Sequence, residues 1–148
     1  MSALVVASVR TRRTSRAAAT GLAAVGAFLV WLVADPLLGV DFDVTRSGTT
    51  TVVGPGMVIF MALGAGLVGW VFLALLERFT TQARRVWVIT ASVVLLLSLV
   101  MPFNSGEIAT DAKVSLLLMH VVVGAVLIPL YARTASGRSK KDSSTTIV

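Results

Sequence analysis

Four apolar stretches, residues 17–34, 52–76, 86–102 and 112–131, alternate with short polar segments along a chain of 148 residues. A helix needs roughly 20 apolar residues, with a tolerance of about 17 to 25, to cross the hydrocarbon core of a bilayer. All four stretches fall within that range. Backbone inside hydrocarbon must satisfy its own hydrogen bonds, so each stretch is predicted to be helical. The predicted fold is all-α, a four-transmembrane-helix bundle forming one membrane domain over residues 17–131. A basic arm, residues 1–16, precedes it, and a polar tail expected to be disordered, residues 132–148, follows it.

The period changes between the first two spans. In VDFDVTRSGTTTVVG, Val40, Phe42 and Val44 alternate with Asp41, Asp43 and Thr45, which is strand spacing. Arg46-Ser47-Gly48 is a turn signal, and residues 49–53 are all β-branched. Either a short β-hairpin capping the outer end of the bundle or an irregular loop satisfies residues 40–53. Gly54-Pro55-Gly56 then opens the second span, with proline in a helix's first turn.

Composition agrees with the hydropathy pattern: 56% hydrophobic, 14% charged, mean hydropathy +0.90. Soluble domains carry about 25% charged residues. The net charge of +6 is distributed unevenly. Eleven of the thirteen basic residues lie in the arm (Arg10, Arg12, Arg13, Arg16), the loop ERFTTQARR (Arg78, Arg84, Arg85) and the tail (Arg133, Arg138, Lys140, Lys141). The other two loops hold only Arg46 and Lys113, beside Asp35, Asp41, Asp43, Glu107 and Asp111. Under the positive-inside rule both termini and the central loop are expected in the cytoplasm of a bacterial inner membrane. This topology accounts for the basic excess, and no aromatic-interleaved basic patch points to nucleic acid. Arg12-Arg13 before an apolar run resembles a signal peptide. The run is too long for a signal h-region and Leu32-Val33-Ala34 lacks a small residue at the cleavage position, so an uncleaved first span is expected. Cysteine is absent, which excludes disulfides and thiolate sites.

One motif invites a misreading. GAGLVG, residues 64–69, fits G-x-G-x-x-G, the dinucleotide-binding fingerprint. It lies in the middle of a span, where no strand-to-helix turn can open, and no acid occurs between Glu77 and Glu107 to meet a ribose. No dinucleotide or other cofactor is expected. Ala62 with Gly66 and Ala65 with Gly69 are instead small-xxx-small pairs, with Gly64 beside them, of the kind that lets membrane helices approach closely. These residues, with Gly124, are the candidate helix-packing positions.

His120 is the one ionisable residue deep inside a span, near the middle of residues 112–131. Such residues are costly in a bilayer and are candidate functional sites. Gly124 and Tyr131 share its helix face, and Ser98 falls at similar depth as a candidate polar partner. A structural hydrogen bond across the bundle competes with any role in transport. No Ser-His-Asp set or metal cluster can be assembled around a single histidine without a carboxylate at its depth, so an enzyme is not expected. Glu77 with Arg78 and Arg84 reads as a solvated cluster, Asp35 as a helix-end residue. Trp31, Trp70 and Trp87 read as interfacial or packing aromatics, Trp87 best placed for the interfacial belt.

The segments WLVADPLLGVDF (31–42), LLERFTTQARRVW (75–87) and LLLMHVVVGAVLIP (116–129) resemble a family of small, uncharacterised four-helix membrane proteins from actinobacteria. The resemblance covers roughly residues 17–131 and implies a fold, with no activity to transfer. The sequence therefore suggests a structural or protein-interaction component of the inner membrane. Its expected partners are the lipid bilayer and either a second copy or another membrane protein. The alternative is a small transporter or channel subunit that uses His120.

Overall fold

The computed structural model describes residues 2–46, 48–104 and 109–136. Among these the chain forms four long helices, α1 (Ser2–Leu32), α2 (Pro55–Phe79), α3 (Ala83–Asn104) and α4 (Thr110–Thr134). All four are long and apolar enough to cross a membrane. Two strands, β1 (Asp43–Arg46) and β2 (Thr49–Val52), pair between α1 and α2. The helices overrun the apolar stretches read from sequence. Hydropathy marks only the part that prefers hydrocarbon, whereas helical hydrogen bonding continues into polar flanks. Thus α1 takes in most of the basic arm; at about 46 Å it exceeds the ~30 Å core. Similarly, α4 continues through Arg133 and Thr134. The expectation of a disordered tail falls largely on residues 137–148, outside the described residues, as do Ser47 and Glu107.

Two ends can be distinguished. The α2–α3 connection, the charged part of α1 and the end of α4 share one, here called the terminal end; the strands mark the other, the hairpin end. At the hairpin end α1 changes to a π-turn, Val33–Leu37. Pro36 has no N–H to continue the i→i−4 ladder, so the chain widens: Leu38 N–H donates to Val33 O at 3.1 Å and Gly39 N–H to Asp35 O at 2.9 Å. Gly39, at φ +68°, then turns the chain out of the helix.

Of the two conformations the sequence left open for residues 40–53, the hairpin forms. Its register pairs Asp43 with Val52 and Arg46 with Thr49, and Gly48 at φ +78° makes the turn. An isolated two-stranded hairpin is marginal in water, and this one is tied to the helices. Val40 and Phe42, the apolar members of the alternation, are buried with Ala27, Ala34, Val58, Ala112 and Met119. Trp31 Nε1–H donates to Val53 O at 3.1 Å. The alternating pattern thus supplies a plug whose side chains close the hairpin end of the bundle.

Helix α1 packs against α2 and α4, α3 packs against α4, and α2 and α3 touch much less. The buried stripe of α1 is largely alanine (Ala19, Ala23, Ala27), and that of α2 is Val58, Ala62, Gly66, Gly69 and Leu73. Small residues on both sides allow close approach, the main source of helix affinity where lipid is as apolar as the interface. Large apolar side chains cover the outside, among them Phe60, Val68, Leu96 and Leu97, as a lipid-facing surface requires.

Candidate functional site

The polar side chains within the bundle fall into two groups, one at the terminal end and one about His120. The first is built around Arg16, which is only 4% exposed. One turn inside the charged part of α1, its guanidinium turns inward and pairs with Glu77 Oε1 of α2 at 2.7 Å. Its Nε donates to Thr134 Oγ1 at 3.0 Å and the terminal nitrogen also reaches Thr134 O at 3.2 Å, both on α4. The same Glu77 oxygen accepts the Ser136 N–H at 2.9 Å and faces its hydroxyl at 3.3 Å, and Arg12 donates to Ser136 Oγ. One carboxylate oxygen therefore joins α1, α2 and the segment leaving α4. This corrects the reading of Glu77 as part of a solvated cluster with Arg78 and Arg84. Those two arginines are exposed, and the partner of Glu77 lies 61 residues earlier in the chain.

A hydroxyl chain continues inward from this pair. Tyr131 O–H donates to Gly66 O at 2.9 Å. Having spent its proton there, it accepts from Thr20 Oγ1 at 2.7 Å, and the Thr20 hydroxyl also lies 3.0 Å from Arg16 O. Tyr131 is fully buried, and its ring lies 5.4 Å from Trp87, whose Nε1–H donates to Ile128 O at 3.1 Å. Trp87 is thus an interior packing residue, not a member of an interfacial belt, because α4 offers both a carbonyl and an aromatic face.

The small-residue candidates divide by face. A Cβ at Gly66 would lie 2.9 Å from Thr20 Oγ1 and closer still to its Cγ2; one at Gly69 would lie 3.0 Å from the Trp87 ring. One at Gly124 would meet Leu95 Cδ2 at 2.6 Å. Ala62 is buried with them. Gly64 has nothing within 4 Å and Ala65 is exposed, so neither lies in the tight contact. At about 100° per residue, position 64 turns away from the face set by 62, 66, 69 and 73, whereas position 65 lies about 40° from Gly69 at the edge of that face and is left uncovered by its neighbours. Gly26, which lies outside the small-residue pairs read from spacing, abuts Val122 of α4, whose Cγ1 would lie 2.8 Å from a Cβ there.

His120 is half-buried on α4, and its Nδ1 lies 2.7 Å from Leu116 O. A carbonyl can only accept, so Nδ1 carries the proton and, in the neutral ring, Nε2 is left as an acceptor. Ser98 donates to Val94 O of its own helix at 2.8 Å. The two residues named as partners each bond within their own helix and not to one another. Among the described residues no three of His, Asp and Glu gather as a metal site.

Comparison with curated proteins and with solved structures gives no match. The family comparison does: residues 7–137, which hold both polar groups, match a family of unknown function, DUF6069, and the chain belongs to that family.

Proposed function

We infer that this is a multi-pass protein of the bacterial inner membrane, with both termini cytoplasmic, that serves as a structural or interaction component and not as an enzyme. The observation that carries the reading is that the polar groups of the terminal end are spent on joining helices. Arg16, Glu77, Thr134, Thr20 and Tyr131 bond to one another and to the backbone across α1, α2 and α4. Such a network stiffens a scaffold and keeps its charges away from solutes. The orientation follows from the charge split, with eleven basic residues assigned inside against two outside.

Photoreactive residues placed along the exposed faces of α2 and α3 test this in native membranes. A defined protein adduct recovered from particular positions supports a scaffold role. A solute flux in reconstituted vesicles that His120→Gln abolishes would establish the transporter reading in its place. That second reading is favoured by one feature, the proton-accepting Nε2 of His120 within a span.

A further inference from the structure

We propose that the lipid-facing side of α2 holds an anionic phospholipid, with one acyl chain in an apolar groove over residues 67–75 and the phosphate on Arg78. The proposal rests on the chain spanning a bilayer and goes beyond the scaffold role, on which it does not depend.

The groove has a volume of about 340 Å³ and is lined by Leu67, Val68, Val71, Phe72 and Leu75. Its two walls are rows at helical spacing on one side of α2. Leu67 and Val71 lead to Arg78, and Val68, Phe72 and Leu75 lead to Phe79. Arg78 and Phe79 are both exposed in the last turn of the helix, so the groove ends between a guanidinium and an aromatic ring. Helical side chains lean toward the N-terminus, which for Arg78 is the direction of the groove mouth. Phe72 packs on the Trp87 ring, with centroids 6.3 Å apart, and closes the inner side. Val68 and Val71 stay 71% and 61% exposed, which opens the outer side to lipid. Residues 67–75 rise about 12 Å, and a helix segment of that length, about 10 Å across, fills roughly 900 Å³. A helix of a second copy is therefore too bulky for the groove, whereas a hydrocarbon chain is narrow enough.

Charge identifies the headgroup. Among the described residues Arg78 has no hydrogen-bond or ion-pair partner, because its neighbour Glu77 turns to the α1 side of the helix and pairs with Arg16. Arg84 and Arg85, in the first turn of α3, are exposed at the same end. Glu77 is the one acid of this end among the described residues, and it is already neutralised. The mouth of the groove thus carries a net positive charge that meets no carboxylate. Its complement is a phosphate whose charge is not cancelled by an ammonium group in the same headgroup.

Native mass spectrometry of the full chain in one detergent, titrated with dioleoylphosphatidylglycerol or dioleoylphosphatidylcholine, measures the affinity of the first bound lipid. A basic residue near an anionic headgroup predicts that the anionic lipid binds about fivefold more tightly or better. Arg78→Gln should bring the two affinities within about twofold of each other. Arg133→Gln, which removes the same charge from the exposed end of α4, should leave the preference unchanged. Val68→Trp and Val71→Trp, both at exposed positions, fill the groove and should weaken the binding of both lipids. Equal affinities in the parent chain overturn the proposal, as do equal losses from Arg78→Gln and Arg133→Gln, which would mark a diffuse field without a site. So does undiminished binding in both groove-filled variants, or a dimer that those variants disperse, which would make a second copy the occupant. Extraction by alkaline carbonate tests the membrane reading separately: a chain that is extracted refutes both, and an integral chain without preference refutes this proposal alone.

Discussion

Removing Glu77 offers the most direct measure of how much the terminal network contributes. Glu77→Ala strands the Arg16 guanidinium, whose side chain is 5% exposed, with only Thr134 as acceptor, and it leaves the Ser136 N–H unpaired. Breaking a buried pair from one side costs about 3–5 kcal/mol because an uncompensated charge remains. The Glu77 side chain keeps 18% exposure, so some of its charge already meets solvent, and the lower figure, about 3 kcal/mol, is expected. That corresponds to roughly two decades in the folded-to-unfolded ratio. Glu77→Gln keeps an acceptor oxygen and loses the charge. The difference between charge-assisted and neutral hydrogen bonds then predicts a loss of about 1–1.5 kcal/mol. The double variant Arg16→Met/Glu77→Leu removes both charges and fills the space with apolar atoms, which should return stability to within about 1 kcal/mol of the parent.

Reversible unfolding in mixed detergent micelles, followed by tryptophan fluorescence, measures these three variants together with the single variants Arg16→Met and Glu77→Leu. The decisive quantity is the coupling in the double-mutant cycle, expected at about 2 kcal/mol or more between residues in direct contact. Additive single losses, or a Glu77→Ala cost below about 1 kcal/mol, would refute the reasoning and show that Arg16 reaches water at the membrane surface when its partner is removed.

Three further outcomes are expected. Gly66→Leu should cost about 1–3 kcal/mol through overpacking against Thr20, whereas Gly64→Ala, with open space at its Cβ, should be neutral or gain up to about 1 kcal/mol of helix propensity; thermal melts in detergent distinguish the two. Tyr131→Phe removes the bonds to Gly66 O and Thr20 and should cost about 0.6–2 kcal/mol, the range of interhelical hydrogen bonds in membranes, read from the same melts. Cysteines replacing Ser47 and Ser144, in a chain that has none of its own, should react with an impermeant reagent from opposite sides of the membrane; labelling from one side would overturn the proposed topology.

The helices were legible because hydrocarbon imposes one rule on every span, and residue type answers to it directly. Even the hairpin was half visible: the alternation of Val40, Phe42 and Val44 encodes a strand. What decides between hairpin and loop is the burial of Phe42 beneath Trp31 and Val58, a long-range fact that no local window contains. The glycines show the same boundary. Spacing alone made Ala62/Gly66 and Ala65/Gly69 equivalent pairs, and only the positions of α1 and α3 place Gly66 and Gly69 against neighbours and leave Ala65 open.

The terminal network was hidden for a different reason. Arg16 looked like one more contributor to the positive-inside bias, and Glu77 sat among arginines that local reading assigned to it. Yet a signal was present. A lone acid at the inner end of a span, where basic residues set the topology, has to be neutralised if its helix is to stay packed. Arg16 is the last basic residue before the first apolar stretch and Glu77 the first acid after the second, so antiparallel helices bring the two to one level. Depth matching of charges across antiparallel spans would have paired them. The same rule applied to Ser98 and His120 found the right level but not the bond, because level says nothing about whether two helices are close. At the terminal end α1 and α2 are held in contact by Gly66 against Thr20, whereas His120 and Ser98 each bond to the backbone of their own helix. Depth can therefore be read from sequence, while the closing of a gap depends on which small residues meet. In this bundle that difference separates a saturated ion pair from a histidine whose Nε2 remains available.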